Sequence, residues 1–164
     1  MLKWLWISGL VVVLDQITKM VASQYLVLYK PMAIMPMFNF TLLHNSGAAF
    51  SFLNDAGGWQ RWFFTIIALG VSGYIIFLIK QASAVDKRQV IALALILGGA
   101  IGNVIDRIAY GYVVDFIQVY YDVWYFPAFN IADSAITIGA ILFILDSILV
   151  ARAAKTKHST DNSA

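Results

Sequence analysis

The 164-residue sequence contains no cysteine and no glutamate, and only 12% of its residues are charged. An average soluble domain is about 25% charged, so this chain lacks the polar residues that a water-exposed globule needs. Without cysteine, a disulfide framework, a thiolate nucleophile and a cysteine-ligated metal are excluded. The net charge of +2 is scattered along the chain and forms no basic stripe of the kind that binds nucleic acid. We therefore expect no nucleic-acid partner.

What the chain has in excess is hydrophobic residues, which make up 61% of it. A helix needs about 20 mostly apolar residues to cross a bilayer. Four segments approach this length, at about residues 4–22, 60–80, 89–108 and 131–151. The sequence predicts an all-α integral membrane protein with four transmembrane helices, which form a single domain over residues 1–151. Residues 152–164 are expected to form a polar, disordered cytoplasmic tail.

The distribution of Lys and Arg near the helix ends predicts the orientation. One side would carry seven such residues: Lys3, Lys80, Lys87, Arg88, Arg152, Lys155 and Lys157. The other side would carry Lys30 and Arg61. Both termini are therefore expected in the cytoplasm, and the long connections 23–58 and 109–130 are expected on the outer face.

The two outer connections have strand-like patterns. Within residues 37–43, apolar and polar side chains alternate from Phe38 to Leu42. Residues 113–119 are rich in β-branched and aromatic types, and both patterns are typical of strands. The aromatic residues that follow, over 120–126, are typical of the headgroup level of a membrane. We expect a small extracytoplasmic β cradle with an interfacial segment.

Ionisable side chains within a bilayer are costly and commonly functional. At 1.5 Å per helical residue, four segments bring charged residues to the outer half of the membrane: Asp15, Lys19, Asp106, Arg107, Asp115 and Asp133. Asp15 and Lys19 are four residues apart on one helical face, so an ion pair between them is expected. Asp146 is about 20 Å deeper than Asp133 along the last helix, near the cytoplasmic interface.

Asp115 and Asp133 are candidates for acid–base chemistry. Two carboxyl groups brought together cannot both ionise cheaply, so they share a proton. One can then accept a proton from water while the other donates one, as in aspartic proteases. The residues alone leave two other interpretations open: a small proton-coupled transporter that uses these residues as a proton site, and a non-catalytic membrane assembly factor.

Other chemistries have little support in the sequence. Two distant histidines without a His-Glu-x-x-His motif cannot form a catalytic zinc site, so no metal and no cofactor are expected. The segment Asn45-Ser46-Gly47 lacks the Gly-x-Ser-x-Gly pattern of a nucleophilic serine.

Five motifs occur in a recognisable order. They are Asp15-Gln16-Ile17-Thr18-Lys19, Asn45-Ser46-Gly47-Ala48-Ala49-Phe50, Gly98-Gly99-Ala100-Ile101-Gly102-Asn103-Val104-Ile105-Asp106-Arg107, Val113-Val114-Asp115-Phe116 and Phe129-Asn130-Ile131-Ala132-Asp133-Ser134. Together they closely resemble the bacterial lipoprotein signal peptidase family, also called signal peptidase II.

The resemblance implies an aspartic endopeptidase of the bacterial inner membrane. Such an enzyme removes the signal peptide from diacylglyceryl-modified prolipoproteins, cutting before the lipidated Cys, and is inhibited by globomycin-type cyclic peptides. It implies that Asp115 and Asp133 form the catalytic dyad. The residues implied to line or support the site are Asn45, Gly47, Asn103, Arg107, Asn130, Ala132, Asp15 and Lys19. We expect a monomer in contact with membrane lipid.

Overall fold

The computed structural model describes residues 1–46, 58–82 and 87–161. A short 3-10 turn at Leu2–Trp4 leads into α1, and the long helices are α1 (Leu5–Tyr25), α2 (Trp59–Gln81), α3 (Lys87–Ala109) and α4 (Ile131–Asp161). Within these described ranges, four helical segments are long and apolar enough to cross a membrane. The prediction of four membrane-spanning helices is confirmed.

The last helix is longer than the sequence pattern predicts. α4 continues to Asp161, so residues 152–161 are helical where we expected a disordered tail. The segment from Ala151 to Lys155 reads Ala-Arg-Ala-Ala-Lys, and these are among the strongest helix formers. Because each residue added to an existing helix gains one hydrogen bond without a new nucleation step, the polar composition does not end the helix.

α3 is the central helix of the bundle, and glycines allow its neighbours to approach. A Cβ added at Gly98 would lie 2.8 Å from the carbonyl oxygen of Ser8 on α1. On the adjacent face, a Cβ at Gly99 would overlap the carbonyl oxygen of Ala132 on α4. Small residues of this kind let transmembrane helices pack backbone to backbone. They therefore bring the polar residues of α1, α3 and α4 within reach of one another.

The described parts of the two long connections form the small sheet that was predicted, and its strands are antiparallel. Its described strands have the order β1 (Met32–Met35), β2 (Phe38–Asn45), β3 (Val113–Tyr121) and β4 (Trp124–Tyr125). The predicted strands correspond to β2 and β3, whereas β1 and β4 were not predicted. β1 is exposed at every position and lacks the alternation of a half-buried strand, and β4 lies within the aromatic segment that we assigned to the interface.

The chain after β4 returns along β3 and leads directly into α4. The Phe129 carbonyl oxygen accepts hydrogen bonds from the backbone N–H groups of Phe116 and Ile117, at 3.1 and 2.9 Å. This pairing places the start of α4 beside the middle of β3. Asp115 on β3 and Asp133 in the first turn of α4 are thereby brought to the same place.

Candidate active site

The first turn of α4 orients Asp133. Asn130 is the residue before the helix, and its side-chain Oδ1 accepts a hydrogen bond from the Asp133 backbone N–H at 2.9 Å. In return, Asp133 Oδ2 accepts from the Asn130 backbone N–H at 3.2 Å. This reciprocal arrangement is a capping box, with aspartate at the position where glutamate is usual. The carboxylate also lies at the positive end of the helix dipole, which favours an anion.

Asp115 lies in the middle of β3 and is 2% exposed. Its two carboxyl oxygens accept hydrogen bonds from two amides: Oδ2 from Asn45 Nδ2 at 2.9 Å, and Oδ1 from Asn130 Nδ2 at 2.7 Å. Asn45 is the last residue of β2. Asn130 therefore contacts both candidate carboxyl groups, Asp115 through its side chain and Asp133 through both its backbone and its side chain.

The pKa of Asp115 is raised to about 7, mainly by burial and also by the nearby charge of Asp133. The hydrogen bonds from Asn45 and Asn130 and the positive charge of Lys19 oppose this rise in pKa. A carboxyl group with a pKa near neutrality can both hold and release a proton at physiological pH. That is the property a general acid–base residue requires.

Asn103 on α3 supports the other side of the site. Its Nδ2 donates to Asp133 Oδ1 at 2.8 Å, and its Oδ1 accepts from Lys19 Nζ at 2.9 Å. A second, longer contact of 3.3 Å joins Asn130 Nδ2 to the same Asn103 oxygen. The amide therefore connects the buried cation to the Asp133 carboxylate.

The expected ion pair between Asp15 and Lys19 is present, but it is part of a larger cluster. Lys19 Nζ lies 2.8 Å from Asp15 Oδ2 and 2.9 Å from Asp106 Oδ2. Both acidic side chains are almost completely buried, as is Lys19. We call Asp15, Lys19 and Asp106 the Lys19 cluster. Asp106 was placed at the outer end of α3 by the sequence but was given no partner.

Arg107 follows Asp106 at the end of α3 and is half-buried. Its guanidinium lies 5.7 Å from the ring centre of Phe64 on α2, and it interacts electrostatically with Asp133, Asp115 and Asp106. A fixed positive charge beside the two candidate carboxyl groups can stabilise negative charge that develops during a reaction. The structure thus places Arg107 near both candidate carboxyl groups.

The structure brings together nearly all of the residues singled out from the sequence. Asn45, Asn103, Asn130, Asp115 and Asp133 are joined by hydrogen bonds. The contribution of Ala132 is its backbone N–H, which donates to Asp15 Oδ1 at 2.9 Å. Gly47 lies outside the described residues.

Sequence reasoning gave no role to Gln16, although it adjoins Asp15. Its Nε2 donates to Asp106 Oδ1 at 2.9 Å and also contacts Asp15 Oδ2 and the Gly102 carbonyl oxygen, both at 3.2 Å. A polar side chain next to a buried aspartate on a membrane helix was the available signal. Its two partners on α3, Gly102 and Asp106, lie 86 and 90 residues further along the chain, so the signal could not identify them.

No group of three histidine or acidic side chains that could hold a metal ion occurs in residues 1–46, 58–82 and 87–161. The amide side chains of Asn45, Asn103 and Asn130 donate hydrogen bonds to Asp115 and Asp133 and hold the two carboxyl groups in place. The arrangement can orient two carboxyl groups, bias their protonation and stabilise an anion beside them. These are the requirements for activating water and attacking an amide bond.

Comparisons with known proteins agree with this arrangement. A family model described as signal peptidase (SPase) II matches residues 7–149. The lipoprotein signal peptidase of Teredinibacter turnerae is 56% identical over 154 residues, which cover 94% of this chain and 92% of the relative. The enzyme of that name from Acinetobacter baumannii strain ATCC 17978 is 56% identical over 152 residues, covering 91% and 85%.

Solved structures show the same fold. One structure of a bacterial membrane enzyme superposes with a TM-score of 0.78 at 34% identity, covering 89% of this chain and 87% of the other. A second has a TM-score of 0.75 at 33% identity, covering 88% and 91%. With a family model that spans most of the sequence and relatives above half identity, the chain belongs to the signal peptidase II family.

Proposed function

We propose that this chain is an intramembrane aspartic endopeptidase that removes the signal peptide from diacylglyceryl-modified prolipoproteins, cutting before the lipidated Cys. Family membership makes it a lipoprotein signal-peptide-cleaving protease. The proposal adds the chemical mechanism, the residues and the orientation. The observation that supports the proposed mechanism is that the carboxyl groups of Asp115 and Asp133 both accept hydrogen bonds from Asn130.

The catalytic step uses the two carboxyl groups as one unit. Asp115 and Asp133 share a proton because two adjacent carboxylates are unstable. The ionised partner takes a proton from water, and the water oxygen attacks the scissile carbonyl carbon while the protonated partner donates to the carbonyl oxygen. The tetrahedral intermediate collapses when the C–N bond breaks and the leaving amine takes a proton. The proton belongs to the pair rather than to one residue.

The remaining polar residues hold the substrate and the dyad. Asn45, at the end of β2, and Arg107, at the end of α3, border the two carboxyl groups and are suited to bind backbone carbonyls of an extended peptide. The family resemblance adds Gly47 to the residues that bind substrate. Asn103, Asn130 and Ala132 keep the carboxyl groups oriented through the hydrogen bonds described above. No metal or cofactor enters this mechanism.

Two features support an active site on the outer face of the bacterial inner membrane. The excess of Lys and Arg at the opposite helix ends supports a cytoplasmic location for both termini. The aromatic side chains Tyr121, Trp124, Tyr125 and Phe126 are exposed around the sheet, as in an interfacial belt. A cleavage site anchored by diacylglycerol would lie at this depth. We expect the chain to act as a monomer in contact with membrane lipid, and globomycin-type peptides to occupy the same site.

The decisive experiment compares two forms of one prolipoprotein. The purified chain is assayed on the diacylglyceryl-modified precursor and on the same precursor without lipid. If the acyl chains hold the scissile bond at membrane depth, the unmodified precursor loses most of its kcat/KM, because binding energy of the lipid positions the reacting centre. Equal rates on the two precursors would show that lipid plays no part in recognition. Absence of cleavage at the bond before the lipidated Cys would refute the proposed activity.

A further inference from the structure

Two buried carboxylates each accept a hydrogen bond from the backbone N–H of the residue that precedes a candidate catalytic aspartate. Asp106 Oδ2 accepts a hydrogen bond from the Val114 backbone N–H at 3.0 Å, and Val114 immediately precedes Asp115. Asp15 Oδ1 accepts from the Ala132 backbone N–H at 2.9 Å, and Ala132 immediately precedes Asp133. Two different helices thus make the same type of contact to β3 and to α4.

One cation joins the two carboxylates. Lys19 Nζ lies within 2.9 Å of both Asp15 Oδ2 and Asp106 Oδ2. Gln16 makes a second connection, because its Nε2 contacts Asp106 Oδ1 and Asp15 Oδ2. Ionised groups so deeply buried are stable only when paired and hydrogen-bonded, so these distances are strongly restrained.

We propose that the Lys19 cluster is a positioning device that sets the separation of the catalytic carboxyl groups, with Asp106 acting on Asp115 and Asp15 acting on Asp133. The inference rests on the proposed function, because it takes Asp115 and Asp133 as the dyad. It assigns a role to Asp106, whose own side chain touches no reacting atom. A displacement of about 1 Å in a catalytic group can cost about 10²-fold in rate, so a restraint on the backbone of the preceding residue has a direct kinetic effect.

A purely structural ion cluster would have a different consequence. Such a cluster holds α1 and α3 together, and its loss lowers the folded fraction without changing the turnover of the molecules that remain folded. A positioning device changes kcat in folded molecules and leaves KM nearly unchanged, because substrate contacts are intact. The two roles therefore separate when rates are normalised to the folded fraction.

The test compares Asp106→Leu and Asp106→Asn with Asp146→Asn as the matched control, another aspartate on a membrane helix but far from the dyad. Each protein is purified, its folded fraction is measured by size exclusion and thermal melting, and cleavage kinetics are recorded. We expect kcat of folded Asp106→Leu to fall about 10²-fold at similar KM. Asp106→Asn keeps an oxygen that can accept from the Val114 N–H, so it should recover about tenfold of that loss.

A second variant keeps the inference testable if Asp106→Leu does not fold. Gln16→Leu removes the contact to both carboxylates without stranding a charge, and should lower kcat several-fold with KM unchanged. Folded Asp106→Leu or Gln16→Leu with the kcat of the unmodified chain would overturn the inference. Assays of Asp115→Asn and Asp133→Asn in the same series distinguish this result from failure of the proposed function. If those variants remain active, the dyad itself is refuted; if they are inactive, only the positioning role is at issue.

Discussion

α4 carries Asp133 in its first turn and Asp146 about halfway along, and the surroundings of these two residues differ sharply. Asp133 accepts hydrogen bonds of 2.8 Å from Asn103 and 3.2 Å from the Asn130 backbone. Asp146 lies 3.8 Å from Arg88, whose side chain is 79% exposed. The same residue type on one helix is therefore tightly held at one end of the bundle and loosely paired towards the other.

The difference between Asp133 and Asp146 shows that this chain buries its charged side chains around the two candidate carboxyl groups. The Lys19 cluster and Asp115 are removed from solvent and connected through amides and backbone groups. A buried polar network stabilises a unique arrangement only when its members are satisfied. Replacing such a network by apolar residues is often neutral or stabilising, so stability alone does not account for it. Its position around two carboxyl groups points to function, and the variants below probe that distinction.

The largest effect is expected at the dyad. Asp115→Asn and Asp133→Asn should each lower kcat by at least about 10³-fold, because a unit that shares one proton fails when either partner is lost. Cleavage of the diacylglyceryl-prolipoprotein is the measurement, with Asp146→Asn as the control. Both variants should remain folded, since the asparagine oxygen can still accept one of the two hydrogen bonds that each carboxyl group accepts. Substantial turnover by either purified variant would contradict the aspartic mechanism.

The next effect is on stability, at Lys19. Lys19→Met leaves two buried carboxylates without their cation, and loss of one partner from a buried pair costs about 3–5 kcal/mol. Adding Asp15→Asn should restore part of the lost stability, and adding Asp106→Asn as well should restore more. Thermal melting in a constant detergent provides the comparison. If the double variant with Asp15→Asn is already as stable as the unmodified chain, Asp106 does not depend on Lys19.

The sequence was sufficient for the elements that follow simple patterns. Four apolar segments predicted the membrane-spanning helices, and alternation predicted the central strands β2 and β3. The sequence did not predict β1, whose four residues are all exposed and do not alternate between apolar and polar types. It also did not predict the helical extension beyond residue 151. In both places local composition conflicts with the structure, which depends on pairing with a neighbouring strand or on continuation of an existing helix.

The candidate site was predictable in its members but not in its connections. The placement of charged residues and the motif resemblance both indicated Asp115 and Asp133, and helical spacing predicted the contact between Asp15 and Lys19. The contact between Lys19 and Asp106 joins residues 87 positions apart on different helices, and no periodic pattern in a single sequence predicts such a contact. The glycines of α3 indicated close helix packing but not which helix each glycine faces.

pH should affect stability through Asp115. Because the pKa of this carboxyl group rises from 3.8 to about 7 on folding, the folded state binds the proton more tightly than the unfolded state does. Its contribution is fully present below pH 3.8 and is lost as the pH rises to about 7, with a slope of up to about 1.4 kcal/mol per pH unit. Melting temperatures of the unmodified chain should fall across this range, and those of Asp115→Asn should fall less. Parallel curves would contradict the assignment to Asp115.

A glycine substitution tests the packing that brings the helices together. A Cβ at Gly102 would lie 2.6 Å from Asp15 Oδ2, so Gly102→Ala should displace the Lys19 cluster and cost about 1–3 kcal/mol by overpacking. Gly70→Ala on α2 is the matched control, since a Cβ there meets nothing within 4 Å. It should be neutral or slightly stabilising, because alanine is the better helix former. Equal melting temperatures for the two variants would show that α1 and α3 can separate without cost.

The smallest effect is expected at Asp146 and its partner Arg88. The 3.8 Å separation between Arg88 and Asp146 is longer than the 2.7–2.9 Å of a charge-assisted hydrogen bond, and the arginine is largely exposed. Pairs of this kind contribute about 0–1 kcal/mol. Asp146→Asn and Arg88→Ala should therefore each change the free energy of unfolding by less than about 1 kcal/mol and leave kcat/KM nearly unchanged. Thermal melting and the cleavage assay measure both quantities. A large loss of activity in either variant would mean that a charged residue far from the dyad also has a catalytic function. The contrast between Asp133 and Asp146 would then no longer distinguish a catalytic aspartate from one at the membrane interface.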